Sequence, residues 1–299
     1  FETANPAVSS RCYWLTVEQQ VRALEPSRVA VEILGGSARE LSATTKNVAW
    51  FSVDRSRASF SSAVVDGQRI DRVALSAVGH RVVHFAKRNG LWFVRASLDP
   101  AWKHGQRSGP FKEAFKNRML FVVGTQGTPA QNAWAAAKAR YDAETFLYRG
   151  NGAVDIVLDH AFDDAASKGR NVILFGGSDM NLACRKWLVR SPSDVREGSV
   201  AIGARRVDGQ ALGVLVVYPR TGDSKALVGV VAATGAAGRH MVDRLPYFVS
   251  GVAYPDWIVV GADGATKGNA GIRGTGFFGN DWQIASGDAA WSDTPSARP

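Results

Sequence analysis

The stretch from Met119 to Leu158, MLFVVGTQGTPAQNAWAAAKARYDAETFLYRGNGAVDIVL, constrains the fold of this chain more than any other. Met119 to Val123 are consecutive apolar residues closed by Gly124, the pattern of a short strand covered on both faces. Thr128, Pro129 and Gln131 follow as a capping box with proline at the first helical position, so a helix starts there with its first amides satisfied. Ala133, Trp134, Ala137, Tyr141, Thr145 and Tyr148 recur at three- and four-residue steps and mark the helix's apolar stripe. Gly150 and Asn151-Gly152 end it. Val154, Ile156 and Leu158 supply a second strand, and a connection of this length makes the two strands parallel with a right-handed crossover.

Before this unit the pattern is that of β-structure. Tyr13, Leu15 and Val17 share one face, although Trp14 falls on the polar one, and Val29, Val31 and Ile33 alternate cleanly. Leu41 to Thr45, Val48 to Val53, Val64-Val65, Val73 to Leu75, Val82 to Phe85 and Trp92 to Val94 continue the series. Asp66-Gly67 is a strong hairpin signal. Thr16 to Leu24 also admits a helical reading. After the unit come further apolar strands at Asn171 to Phe175, Val214 to Tyr218, Ala226 to Ala233 and Trp257 to Val260. Val214 to Tyr218 and Ala226 to Ala233 read as adjacent antiparallel or mixed strands, and Ser199 to Val207, before Asp208-Gly209, as an inserted strand pair or hairpin. The expected architecture is a β-sandwich over residues 1–98, a linker over 99–110, a flavodoxin-like or Rossmann-like three-layer α/β domain over 111–284, and a flexible tail over 285–299.

Composition narrows the function classes. A chain of 299 residues with 45% hydrophobic and 21% charged residues buries a full core, and no apolar run approaches the roughly 20 residues of a membrane span. The net charge of +9 is scattered, densest around Lys103, Arg107, Lys112, Lys116 and Arg118, without the aromatic interleaving of a nucleic-acid module, so neither nucleic acid nor membrane is an expected partner. Cys12 and Cys184 lie far apart and read as free thiols; they leave the compartment open, an exported or periplasmic location within a larger protein included.

Two turns are the candidate site. Gly124, Thr125, Gln126, Gly127 and Thr128 lie between a strand's carboxyl end and a helix's amino end, where amides favour anions, and Gly176, Gly177, Ser178 and Asp179 are expected at the same edge. Neither turn is a dinucleotide or Walker loop, and Asp179 repels phosphate. The run Gly176 to Met180 lacks the last glycine of a nucleophile elbow, so Ser178 reads as a helix cap before Asn181 rather than a nucleophile. His80, His84, His104, His160 and His240 are unclustered, and no carboxylate pair is placed for acid–base work. No catalytic, cofactor-binding or metal-binding residue is assigned, and no cofactor is expected. Phe277, Phe278 and Trp282 either close the second domain or face a partner.

The runs FETANPAVSSRCYWLTVEQQ, VVGTQGTPAQNAWAAAKARYDAETFLYRGNG, RNVILFGGSDMN and DRLPYFVSGVAYPDWIVVG, with GFFGNDW, carry a resemblance over nearly the whole chain. They resemble the carboxyl-terminal region of large bacterial proteins similar to the prolyl oligopeptidase family of α/β-hydrolases, planctomycete-type esterases and peptidases being the nearest type. The resemblance implies a serine, acid and histidine upstream of Phe1 and a non-catalytic accessory role for this chain, docked on that α/β-hydrolase domain and shaping substrate access or oligomer contacts. An independent enzyme acting on a small anionic substrate at the crevice is one alternative. A polysaccharide-binding module is another. A homo-oligomer and a glycan or peptide substrate remain compatible partners.

Overall fold

Asp66 and Gly67 both take positive φ, 49° and 80°, and turn the chain between the cross-strand partners Val65 and Gln68. In this computed structural model, which describes residues 1–36, 39–77 and 81–292, the chain divides into two compact units, Phe1–Ser108 and Gly109 onward. The first unit begins with β1 (Glu2–Thr3), β2 (Arg11–Cys12), β3 (Leu15–Gln20), β4 (Ser27–Leu34) and β5 (Glu40–Lys46). It continues with β6 (Val48–Asp54), β7 (Ser62–Val65), β8 (Gln68–Ile70), helix α1 (Arg72–Ala77), β9 (Val82–Arg88) and β10 (Leu91–Arg95). These strands make two five-stranded sheets, β1-β4-β5-β7-β8 and β10-β9-β6-β3-β2. The sheets share one core, in which Val29, Leu41 and Val65 of the first meet Val17, Phe51 and Phe85 of the second. Asp66 ties the two together, accepting from the Thr45 amide (2.7 Å) and from Trp92 Nε1 (2.9 Å).

Three local expectations need correction here. Val73 to Leu75 is helix α1 and not a strand, because the Asp71 carboxylate accepts from the Val73 amide at 2.8 Å and its carbonyl from Leu75, which starts a turn in good helix formers. Thr16 to Gln20 belongs to strand β3 and not to a helix. Residues 99–108 pack on the first unit instead of hanging free as a linker: Gln19 Nε2 donates to the Lys103 carbonyl at 2.7 Å, and Lys103 and Arg107 are buried. His80 lies outside the described residues.

The second unit contains the crossover. Here β11 (Leu120–Val123) leads through helix α2 (Pro129–Gly150) to β12 (Asp155–Leu158), which pairs parallel to β11 with Leu120 opposite Asp155. Thr128 and Gln131 form both hydrogen bonds of the capping box, and Asn151 closes the helix in the left-handed region. There follow β13 (Val172–Phe175), α3 (Leu182–Trp187), β14 (Ser193–Arg196), β15 (Ser199–Ile202), β16 (Arg205–Asp208), β17 (Leu212–Pro219) and β18 (Leu227–Ala233). The described chain finishes with α4 (Ala236–Val242), β19 (Trp257–Gly261), α5 (Gly264–Lys267), β20 (Ile272–Phe277) and β21 (Asp288–Trp291).

The architecture differs from the expected sandwich followed by a three-layer, Rossmann-like domain. Among the described residues strand outweighs helix, 37% to 20%, and the strands form four sheets. The large one has the order β12-β11-β13-β18-β17-β19-β20-β21. Its first four strands are parallel, and every pairing from β18 to β21 is antiparallel. Strands β14, β15 and β16 form a separate antiparallel sheet. The physical reason is the connections. Helices α3, α4 and α5 have six, seven and four residues, too short to build a layer on either face. Short links such as the one between β17 and β18 bring strands back antiparallel. Residues 288–291, assigned to a loose tail, pair with β20 from Gly274 opposite Trp291 to Phe277 opposite Asp288.

Helix α2 also turns a different face inward. Gln131, Ala135, Lys138, Ala139 and Asp142 are its buried residues. The apolar stripe read from the sequence points the other way: Ala133 and Ala137 are exposed, Tyr141 is 60% exposed and Tyr148 is 89% exposed. The buried face is mixed: Ala135 and Ala139 lie in the core, Trp134, Ala143 and Phe146 pack against it, and beside them Lys138 Nζ lies 2.6 Å from Asp142 Oδ1, whose other oxygen accepts the Tyr247 hydroxyl.

Candidate functional site

The two glycine-bearing turns meet at the carboxyl edge of β11 and β13, the edge at which open α/β sheets place ligands. They meet without a gap. A Cβ on Gly124 would lie 2.5 Å from the Met180 carbonyl oxygen, and one on Gly177 would lie 2.2 Å from that of Val195, so both positions demand glycine for close backbone approach.

Every amide of the first turn has an acceptor within the protein. Gly124 N donates to the Phe175 carbonyl (3.0 Å), Gln126 N to that of Met180 (2.9 Å), Gly127 N to Asn132 Oδ1 (3.0 Å) and Thr128 N to Gln131 Oε1 (2.7 Å). Thr125 N donates to Asp159 Oδ2 at 3.2 Å and its hydroxyl to Oδ1 at 2.7 Å, while Leu182 N reaches Oδ2 at 2.9 Å. Asp159 stands just beyond β12 with its side chain wholly buried. A carboxylate of the chain therefore holds the position, between two turns, that a bound anion takes in other sheets.

In the second turn two amides are likewise engaged. Gly176 N donates to the Val231 carbonyl (3.0 Å) and Ser178 N to that of Val195 (2.8 Å). Asp179 Oδ2 accepts from the Glu197 amide at 2.8 Å. Ser178 is not the cap of α3. That role falls to Asn181, whose Oδ1 accepts from the Ala183 amide at 3.0 Å and whose Nδ2 donates to the Val122 and Phe175 carbonyls. The Ser178 hydroxyl donates to the Asp194 carboxylate on β14, a contact sixteen residues away in sequence.

Behind Ser178 opens a pocket of about 210 Å³, walled by the turn, by α3 and its carboxyl end, and by β14. Ser178, Arg185, Leu188, Ser193, Asp194 and Val230 are among the lining residues. Asp194 Oδ2 accepts from Arg196 Nε at 2.7 Å. Cys184 also lines the pocket, with Sγ 3.8 Å from the Gly176 carbonyl. Burial, with the charges of Asp194, Asp179 and Asp159 behind it, pushes this thiol up to about 12, so it is inert at neutral pH.

The described histidines stay on separate elements. His84 accepts from Trp50 Nε1 at 3.3 Å, and burial lowers its basicity. His104 closes a turn with Arg107, His160 lies 3.7 Å from Asp159, and His240 is on α4. Among the described residues no three His, Cys, Asp or Glu side chains are grouped to hold a metal ion, and no helix is long and apolar enough to cross a membrane. Phe278 and Trp282 are buried, 2% and 1% exposed, with their rings against Tyr218.

Sequence reasoning missed Arg185 and Asp194 as pocket residues and the bridging role of Asp159. For Asp159 a signal existed: an acid directly after a parallel strand, at the sheet's carboxyl edge. Asp194 carries none, because only the fold of the β14 sheet brings it to Ser178. No protein-family model matches the chain, and no curated protein matches it.

Proposed function

We propose that this chain is a non-catalytic docking unit of an esterase or peptidase of the α/β-hydrolase type, the role implied by the sequence resemblance. The observation that carries it is the outward stripe of α2. Tyr141, Leu147 and Tyr148 are 60%, 56% and 89% exposed, on a helix whose opposite face already packs Ala135, Ala139 and a buried charged pair. Large side chains of this kind face water at a cost unless a partner covers them. Strand β12 supports the reading. Parallel strands are ordinarily covered on both faces, yet Ile156 and Leu158 of β12 are 41% and 43% exposed. The occupant is the hydrolase domain, and the docked helix shapes access to its active site.

The crevice alternative loses support, since every amide of the first turn already has an acceptor. The glycan alternative loses Phe278 and Trp282 and is left with the exposed aromatics of the first unit, such as Tyr13 and Phe93. The test is co-purification of the chain with the α/β-hydrolase catalytic domain. Paired substitutions Tyr141→Glu and Tyr148→Glu, both on exposed positions, are expected to weaken the complex at least about ten-fold, roughly 1.4 kcal/mol, and to leave the fold intact by circular dichroism. Unchanged binding would reject the reading. So would a self-associated dimer broken by the same substitutions, or a fluorophosphonate probe labelling a serine of the isolated chain.

A further inference from the structure

The pocket behind Ser178 has a chemistry of its own, independent of the docking surface. Its volume, about 210 Å³, lies below the roughly 300–1,000 Å³ of pockets for drug-sized molecules and suits a ligand of a few heavy atoms. Its charges stand on two walls. On the strand wall Asp194 accepts from Ser178 and from Arg196, one bond to each oxygen, and each carboxylate oxygen retains a second lone-pair site. On the helical wall stands Arg185, exposed, and among the described residues no carboxylate lies within 4.0 Å of it. Between these walls the lining is aliphatic, with Leu188, Val195 and Val230.

A ligand matching all three features carries a carboxylate for the guanidinium, a hydrogen-bond donor for the Ser178–Asp194 pair, and a short apolar body between them. We infer that this pocket binds a small α-substituted carboxylate, an α-amino or α-hydroxy acid with a short branched side chain. The carboxylate takes two of the five donors of Arg185, a geometry suited to a bidentate pair. The α-ammonium or α-hydroxyl donates to Asp194, and the branched end packs on Leu188 and Val230. Arg185 and Arg196 against Asp194 leave the lining with one net positive charge, which the carboxylate of the ligand offsets.

The experiment is titration of the full chain, by calorimetry and by amide chemical shifts, with L-valine, L-2-hydroxyisovalerate, isovalerate and L-valinol. Valine or hydroxyisovalerate, or both, is expected to bind at least about ten-fold more tightly than isovalerate, which lacks the donor, and than valinol, which lacks the carboxylate. The better of the two identifies the α-group. Arg185→Gln, on an exposed side chain, is expected to lower that affinity about ten-fold with unchanged thermal stability, and shifts should centre on Ser178 and Asp194. Failure of both donor-bearing acids to saturate, equal binding of isovalerate, or an affinity untouched by Arg185→Gln would overturn the inference. Loss of the docking partner leaves it standing, since these ligands are read on the chain alone.

Discussion

Replacing Lys138 by Met tests how much the buried charged pair contributes to seating α2 beside its core alanines, Ala135 and Ala139. Both side chains of the pair are almost fully buried, 3% exposed for Lys138 and 2% for Asp142, and they meet at 2.6 Å. Lys138 Nζ also lies 4.8 Å from the centroid of the Tyr247 ring. Burial pushes the Asp142 carboxyl above its ordinary value even though Lys138 and the Tyr247 hydroxyl pull it down. Methionine keeps most of the side-chain volume and removes the cation, which leaves the carboxylate with the tyrosine alone. Breaking a buried pair in this way costs about 3–5 kcal/mol, and for a unit of this size each kcal/mol lowers Tm by about 2–4 °C, so a fall of about 6–20 °C is expected. The pH dependence has a definite sign. A folded-state value above the unfolded one means that the folded chain holds the extra proton between the two, and stability is lost as pH rises through that window. Without Lys138 the window reaches higher, so the deficit is greatest at alkaline pH and shrinks on acidification. Adding Asp142→Leu to Lys138→Met removes the stranded charge and is expected to restore most of the stability. Urea unfolding across pH is the assay. A loss below about 1 kcal/mol, or a deficit that Asp142→Leu leaves unrelieved, would refute the reasoning.

Thr128→Ala should cost about 1 kcal/mol in urea unfolding, because the capping box loses its side-chain acceptor at the start of α2. Arg220→Lys should cost about 2–3 kcal/mol and raise amide exchange across residues 159–170, since one ammonium cannot replace the guanidinium that reaches the carbonyls of Ser167 and Arg170, the Ser167 hydroxyl and Asp164. Cys184 should resist a disulfide reagent at pH 8 in the native chain and react only on unfolding, with a thiol pushed up to about 12 by burial; rapid native modification at that position would contradict its placement.

What could be read in the sequence was local. The capping box at Thr128 and Gln131, the Asp66-Gly67 turn and the parallel pairing of β11 with β12 each depend on residues near one another, and each appears in the structure. The inward face of α2 was not legible, because the reading equates apolar with buried. Here Lys138 and Asp142 face the interior through a partner more than a hundred residues on, Tyr247. The runs at 214–218 and 226–233 read as adjacent antiparallel or mixed strands, and they pair antiparallel in the structure. The far edge of the large sheet was hidden, because the strands at 272–277 and 288–291 lie in glycine-rich stretches that carry little β signal. The two turns of the candidate site could be named, but not the fact that the amides of the first are already engaged. That depends on Asp159, Asn132 and the carbonyls of Phe175 and Met180.

Asp159 sits where a visiting phosphate or formate would otherwise rest, so the chain supplies its own counter-ion. Trimmed to glycine, that position would leave two backbone N–H groups and a threonine hydroxyl around an unfilled hollow, and formate from solution has the size and charge to enter it. One side chain is all that separates this closed edge from a receptor.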